Sequence, residues 1–291
     1  MILIKTIQQA VILSKNYRAN GSSIGFVPTM GALHAGHIAL IQNCKKVNEV
    51  CVCSIFVNPA QFNNASDFEK YPVTIEKDID MLEAAGCDLL FLPSVPEIYP
   101  DGAKPVKYPL GYLETILEGK FRPGHFQGVC QVVDKLLSII MPDELFLGQK
   151  DYQQFMVIKK LIRFKKYQIK VKLVPTVRET NGLAMSSRNM RLTAGEKQKA
   201  VLISQALVSI KKELKPGNVE ALKEKMKAHL QQNDFKADYV EIANAATLEP
   251  LKIWDGKIAA VALIAASLNE VRLIDNLIVT GDDADFKNNQ P

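Results

Sequence analysis

The stretch Val50-Cys51-Val52-Cys53-Ser54-Ile55-Phe56-Val57 constrains the fold more than any other part of the chain. Seven of its eight residues are apolar and β-branched side chains are frequent, a pattern that fits a strand covered on both faces, as in a parallel sheet. Parallel strands need long crossovers, so helices must alternate with strands on either side of this one. The sequence supplies them. Strands are expected at residues 24–27, 89–92, 145–147 and 169–174. Helices are expected at 5–18, 38–47, 76–85 (closed by Gly86), 126–140 (ended by Met141-Pro142) and 152–167. Residues 93–125 are rich in Pro and Gly and read as loop with a short helix near 112–118. Right-handed crossovers then give an α/β fold, a Rossmann-like parallel sheet with helices on both faces.

Beyond Pro175 the pattern changes. Helices at 193–215 and 219–232, broken by Pro216-Gly217, precede short strands at 239–242, 258–265 and 271–274, which suggest a small antiparallel sheet. We therefore expect a larger domain at 1–177 and a smaller α+β C-terminal lid domain at 178–291, with 185–188 at the hinge and a loose tail at 282–291. A length of 291 residues suits two domains. The net charge of +5 is spread through helices instead of forming an aromatic-interleaved basic patch, and a small anionic substrate explains it as well as nucleic acid does. Five cysteines, an odd number lying in apolar stretches, read as buried free thiols of a reducing compartment. No apolar run of ~18 residues spans a membrane, and the N-terminus lacks the charged start and cleavage site of a signal peptide. A cytoplasmic protein with no membrane partner is expected.

The first expected strand runs into Pro28-Thr29-Met30-Gly31-Ala32-Leu33-His34-Ala35-Gly36-His37. A tight glycine-bearing turn at a helix start presents unpaired N–H groups and the positive end of the helix dipole, and two histidines three apart add donors, neutral or cationic, on one face. A phosphate is the natural guest, although a surface and a capping histidine would look the same in isolation. Zinc would need a third ligand and the His-Glu-x-x-His spacing, and both are missing. Asn58, Pro59 and Gln61 follow the central strand, where an open α/β sheet places its ligands.

This His-x-Gly-His stretch resembles the signature of the nucleotidyltransferase superfamily, and the full block, with Phe56-Val57-Asn58-Pro59-Ala60-Gln61-Phe62, resembles the pantothenate synthetase family. Three later blocks agree: Arg122-Pro123-Gly124-His125-Phe126, Gly148-Gln149-Lys150-Asp151-Tyr152-Gln153-Gln154 and Met185-Ser186-Ser187-Arg188-Asn189. The resemblance implies an ATP-dependent ligase joining pantoate to β-alanine, a homodimer with ATP as substrate and Mg2+ as its companion. It implies that Met30, Gly31, Ala32, Leu33, His34, Ala35, Gly36 and His37 wrap the nucleotide. Gly148, Gln149, Lys150, Asp151, Val177, Met185, Ser186, Ser187 and Arg188 complete that site, with His34, His37, Lys150 and Arg188 acting on the phosphates. Ser186, Ser187 and Arg188 resemble the Lys-Met-Ser-Lys-Ser loop of the synthetases, two hydroxyls and a guanidinium able to fork onto phosphate; a polar helix cap is the alternative. Pantoate falls to Gln61, Gln154, Asn58 and Arg122, with Gln61 also serving β-alanine; Arg122 could equally form a structural ion pair. Asp78 matches an acidic position linked to magnesium, though Lys77 replaces a neighbouring acid. Two other functions remain open: nucleotidyl transfer to a phosphorylated acceptor, and RNA binding by a synthetase-derived core.

Overall fold

In the computed structural model, which describes residues 1–63, 65–100 and 106–279, the chain divides into two units. One comprises Met1–Val177 with Met185–Ser187, the other Arg178–Ala184 with Arg188–Pro291. The first contains β1 (Ile2–Ile4), α1 (Ile7–Ala19), β2 (Ile24–Thr29), α2 (Ala35–Lys45), β3 (Val50–Ile55), α3 (Ala65–Glu69), α4 (Ile75–Ala84) and β4 (Leu89–Phe91). It continues with α5 (Val95–Ile98), α6 (Leu117–Phe121), α7 (His125–Ile140), β5 (Glu144–Gly148), α8 (Tyr152–Lys165) and β6 (Lys170–Val174). The strands form one parallel sheet in the order β1-β4-β3-β2-β5-β6.

Every residue of β3 is buried, as its unbroken apolar run requires. From β2 the sheet grows through β3 and β4 on one side and through β5 and β6 on the other. The strand order therefore reverses between β2 and β5, and the crevice outside their carboxyl ends is where such a sheet binds ligands. Cys44, Cys51, Cys53, Cys87 and Cys130 are all buried free thiols of this unit. The edge strand β1 was not anticipated. Ile2 is 48% and Leu3 43% exposed, so neither alternation nor full burial marks it, and its pairing with β4 lies some 87 positions away in sequence (2 to 89).

The second unit contains α9 (Ala194–Glu213), β7 (Gly217–Asn218), α10 (Glu220–Gln231), β8 (Phe235–Asn244), β9 (Ile253–Trp254), β10 (Ala260–Leu268) and β11 (Val271–Ile278). Its antiparallel sheet has the order β11-β10-β8 and packs Ile242, Ala262 and Ile264 against Leu207, Ile210 and Leu230 of the two helices. β7 and β9 form a separate ribbon. Asp275, buried on β11, takes both arms of the Arg178 guanidinium at 2.6 and 3.0 Å, and Arg178 also donates to the Gly182 carbonyl at 3.1 Å. That pair fixes the 178–184 hairpin to this sheet. Trp254 is buried here, its indole N–H donating to the Ile258 carbonyl at 2.9 Å. The tail expected at 282–291 lies outside the described residues.

Candidate active site

Where β2 ends, Thr29 Oγ1 donates to the Ser54 carbonyl at 2.8 Å and accepts the Gly31 N–H at 3.2 Å. The next residue, Ala32, is held at φ 49°, a left-handed conformation unusual for a residue with a Cβ. Asp78 supplies the restraint. Its carboxylate accepts the N–H groups of Ala32 and Leu33 at 2.9 and 2.8 Å and the Thr74 hydroxyl at 2.9 Å. At 0% exposure, with both oxygens bonded to the protein, Asp78 is a brace for this turn. The expectation that it binds magnesium is corrected accordingly, because a cation would have to displace backbone donors from a sealed carboxylate.

The turn delivers His34 as the N-cap of α2. His34 Nδ1 accepts the Gly36 N–H at 3.1 Å, and His37 Nδ1 accepts the His34 N–H at 3.3 Å. The two rings lie 4.0 Å apart. Helix α2 thus begins at Ala35, three residues before the apolar periodicity that marked its start in sequence. Gly36 permits this arrangement, since a Cβ there would sit 2.8–2.9 Å from the His34 ring. Each Nδ1 accepts a bond, so each proton resides on Nε2, and both histidines offer an Nε2–H donor. Burial, and then Lys150, lowers the His34 pKa to about 4 against the opposing pull of Asp151. Burial, then His34 and Lys150, holds His37 well below its ordinary value. Both shifts favour neutral rings at pH 7.

Lys150 and Asp151 come from the turn Gln149–Asp151 directly after β5, so both carboxyl ends at the strand reversal contribute to one site. Gln149 is buried, and Lys150 and Asp151 are the members electrostatically coupled to the histidines. Within the same unit Met185 N–H donates to the Val177 carbonyl and Ser187 Oγ donates to the Ala32 carbonyl, each at 3.0 Å. The Ser187 hydroxyl proton therefore supports the turn. The role expected of it at the phosphates would need that proton to turn away from the Ala32 carbonyl. Arg188, half-buried, belongs to the second unit.

After β3, Asn58 caps the turn Pro59–Gln61. Its Oδ1 accepts the Tyr99 hydroxyl at 2.9 Å and the Ala60 N–H at 3.2 Å, and its Nδ2 donates to the Gly128 carbonyl at 3.0 Å and to Gln61 Oε1 at 3.3 Å. An amide has two donors and two acceptor positions, and here all four are used at 1% exposure. Asn58 is thus a scaffold for Gln61, and its expected contact with substrate is corrected. Gln61 Nε2, oriented by that bond, faces the Met30 sulfur at 2.9 Å. Helix α7 lies so close to this turn that a Cβ on Gly128 would fall 2.2 Å from the Ala60 carbonyl oxygen.

His125, at the start of α7, was quoted in sequence only as part of a block. Its Nδ1 sits 2.8 Å from the Gln61 carbonyl oxygen. Burial, and then Arg122, lowers its pKa to about 4, with Gln61, Glu118 and Asp151 acting in the opposite sense. Asp151 thus acts on both His34 and His125, linking the two sides of the site. Arg122 lies 3.7 Å from Glu118, the ion pair the sequence allowed as an alternative. Adjacent glutamines divide the remaining work. Gln153 is buried, accepting the Glu118 N–H at 2.9 Å and donating to the Leu113 and Ile116 carbonyls at 2.8 and 3.0 Å. Gln154 is half-buried and its side chain makes no protein hydrogen bond among the described residues.

Known proteins share the sequence and the fold of this chain. The family model described as pantoate-beta-alanine ligase matches residues 2–278. A pantothenate synthetase of Cytophaga hutchinsonii is 46% identical over 282 residues, 96% of this chain and 99% of that one. The crystal structure of pantothenate synthetase from Thermus thermophilus superposes with a TM-score of 0.87 at 39% identity, covering 97% of this chain and all (100%) of that one. A pantoate-beta-alanine ligase from Francisella tularensis, crystallised with beta-gamma ATP and beta-alanine, gives 0.81 at 39% identity over 97% of this chain and 99% of its own. With matches of this extent to a family model, to curated relatives and to solved structures, the chain belongs to the pantoate–β-alanine ligase family.

Proposed function

We propose that the crevice at the strand reversal carries out the ATP-dependent condensation of pantoate with β-alanine, through pantoyl adenylate, releasing pyrophosphate and then AMP. One observation carries this reading: two neutral imidazoles with Nε2–H groups at the start of an 11-residue helix, coupled to Lys150, with an oriented glutamine amide against Met30 of the same turn. When the pantoate carboxylate attacks the α-phosphorus, charge builds on the phosphate oxygens and on departing pyrophosphate. Preset neutral donors and a nearby ammonium stabilise that charge without first reorganising water. His34, His37 and Lys150 take this role, with Ser186 and Arg188 as further phosphate contacts. The 30–37 turn, Gly148, Asp151, Val177 and Met185 hold the nucleoside. Gln61 and Gln154 hold the hydroxyls and carboxylate of pantoate, Gln61 also meets β-alanine, and Arg122 adds positive charge.

Magnesium accompanying ATP would supply further positive charge at the phosphates. Among the described residues no group of three His, Cys, Asp or Glu side chains is placed to hold a metal ion, and Asp78 is otherwise bonded. The five buried thiols support a reducing cytoplasm. No described helix is long and apolar enough to cross a membrane. The chain works as a homodimer by family resemblance, which sedimentation tests. The reaction is tested by ATP–pyrophosphate exchange, expected with pantoate alone and followed by AMP release when β-alanine is added. Exchange that requires both substrates together would remove the free-standing adenylate, and a product carrying a nucleotidyl group would replace ligation by nucleotidyl transfer.

A further inference from the structure

The three histidines of the site do not carry their protons on the same nitrogen. In His34 and His37, Nδ1 accepts a backbone N–H and the proton resides on Nε2. In His125, Nδ1 faces the Gln61 carbonyl oxygen at 2.8 Å, an atom that can only accept. Nδ1 must carry the proton there, and Nε2 presents a lone pair. That nitrogen has no hydrogen-bond partner among the described residues, although His125 is only 5% exposed. The charged groups that act on this ring are Arg122 on one side and Glu118 and Asp151 on the other, and none of them is hydrogen-bonded to Nε2. An unpartnered lone pair on a buried ring calls for a guest that donates. Of the groups that react, the amine of β-alanine is the one that must shed protons, and Gln61, whose carbonyl orients His125, is the residue assigned to β-alanine above.

We propose that His125 Nε2 is a catalytic acceptor that orients the amine of β-alanine and receives its proton as the carbon–nitrogen bond forms. The proposal rests on the ligase reading. The ammonium of β-alanine first gives one proton to water. The nitrogen lone pair then bonds to the acyl carbon of pantoyl adenylate. One N–H bond breaks, its electron pair returning to nitrogen and its proton passing to Nε2. The acyl C–O bond breaks with its pair leaving on AMP, and the imidazolium returns its proton to water. Burial and Arg122 keep the ring neutral and the acceptor available at neutral pH. A weakly basic imidazole suffices because the attacking nitrogen itself loses its basicity as it becomes an amide.

The substitution His125→Asn separates the two nitrogens, since the Asn amide N–H can still serve the Gln61 carbonyl where Nδ1 did, while nothing replaces Nε2. Pantoate-dependent exchange is expected to persist in this variant. Single-turnover transfer from pre-formed adenylate to β-alanine should slow by about 10²-fold or more, and dissolved imidazole should accelerate transfer in His125→Ala but not in the unaltered enzyme. Wild-type transfer in His125→Asn overturns the proposal. So does a parallel loss of exchange and transfer in both variants, which would make the ring a support for the Gln61 turn. On the unaltered protein, nitrogen NMR should find the proton of His125 on Nδ1 and those of His34 and His37 on Nε2; a proton on Nε2 of His125 overturns the proposal however the variants fold. Absence of pantoate-dependent exchange in the unaltered enzyme would instead strike the ligase reading, and this proposal with it.

Discussion

Replacing Asp78 by Asn separates a brace from a metal ligand. The carboxylate makes three hydrogen bonds, to Ala32 N, Leu33 N and Thr74 Oγ1, in a position closed to solvent. Asn preserves the volume but has one carbonyl oxygen. Its least costly orientation puts that oxygen toward Leu33 and Thr74, and turns the amide N–H2 against the N–H of Ala32. One buried donor is then orphaned, at about 1–3 kcal/mol, and two charge-assisted bonds become neutral ones, each weaker by roughly 1 kcal/mol. The sum is about 3–5 kcal/mol, and partial relaxation of the turn reduces it to about 2–4 kcal/mol. For a unit of this size such a loss lowers Tm by about 4–16 °C. The assay pairs a circular-dichroism melt without ligands with a magnesium titration of pantoate-dependent exchange. We expect the melt to shift down, the exchange rate to drop because the 30–37 turn loosens, and the magnesium concentration at half-maximal rate to stay where it was. An unchanged melt with a much higher magnesium requirement would refute the reasoning and return Asp78 to the metal.

Gln154→Ala should weaken pantoate by about 1.5–3 kcal/mol if its amide meets the carboxylate, leaving ATP affinity unchanged, whereas Gln153→Ala should lower Tm; equal effects of the two on pantoate KM would contradict their division. The depressed pKa of about 4 for His34 and for His125 means that the unfolded chain binds more protons between about pH 4 and 6.5, so stability is full above that window and is lost as pH falls through it. Exchange activity should likewise hold through pH 6.5 and fail nearer 4, and an inflection at 6.5 would show a cationic His pair. Arg188→Ala should slow adenylate formation more than it weakens ATP binding, because charge on leaving pyrophosphate is greatest in the transition state; an unchanged single-turnover rate would exclude the guanidinium from catalysis.

How much the sequence revealed depended on whether a residue's environment is set locally. The apolar run at 50–57 needed only its own composition to reveal an interior strand, which the fold forms over Val50–Ile55. That α2 opens with two imidazoles in its first turn was legible, but the bond that makes His34 its cap exists only because Gly36 lets the ring fold back. Around the crevice, the sequence does not show which polar side chains are already bonded to the protein. Asn58 and Gln61 are both amides of one turn, and only Tyr99 and Gly128, distant in sequence, determine that Asn58 is fully bonded. Asp78 and Ser187 likewise acquire their partners, the N–H groups and the carbonyl of the 32–33 turn, through tertiary contacts. His125 carried no signal beyond its block, because its tautomer is fixed by a carbonyl 64 positions away.

The distribution of thiols and indole gives each unit its own reporter. All five cysteines are buried in the unit built on the parallel sheet, and the single tryptophan is buried in the other. Alkylation of the native protein by a thiol reagent therefore has to wait for the first unit to open, while the emission of Trp254 follows the second. Run side by side, without any engineered label, the two signals show whether the units melt together or in turn, and which of them a bound nucleotide protects.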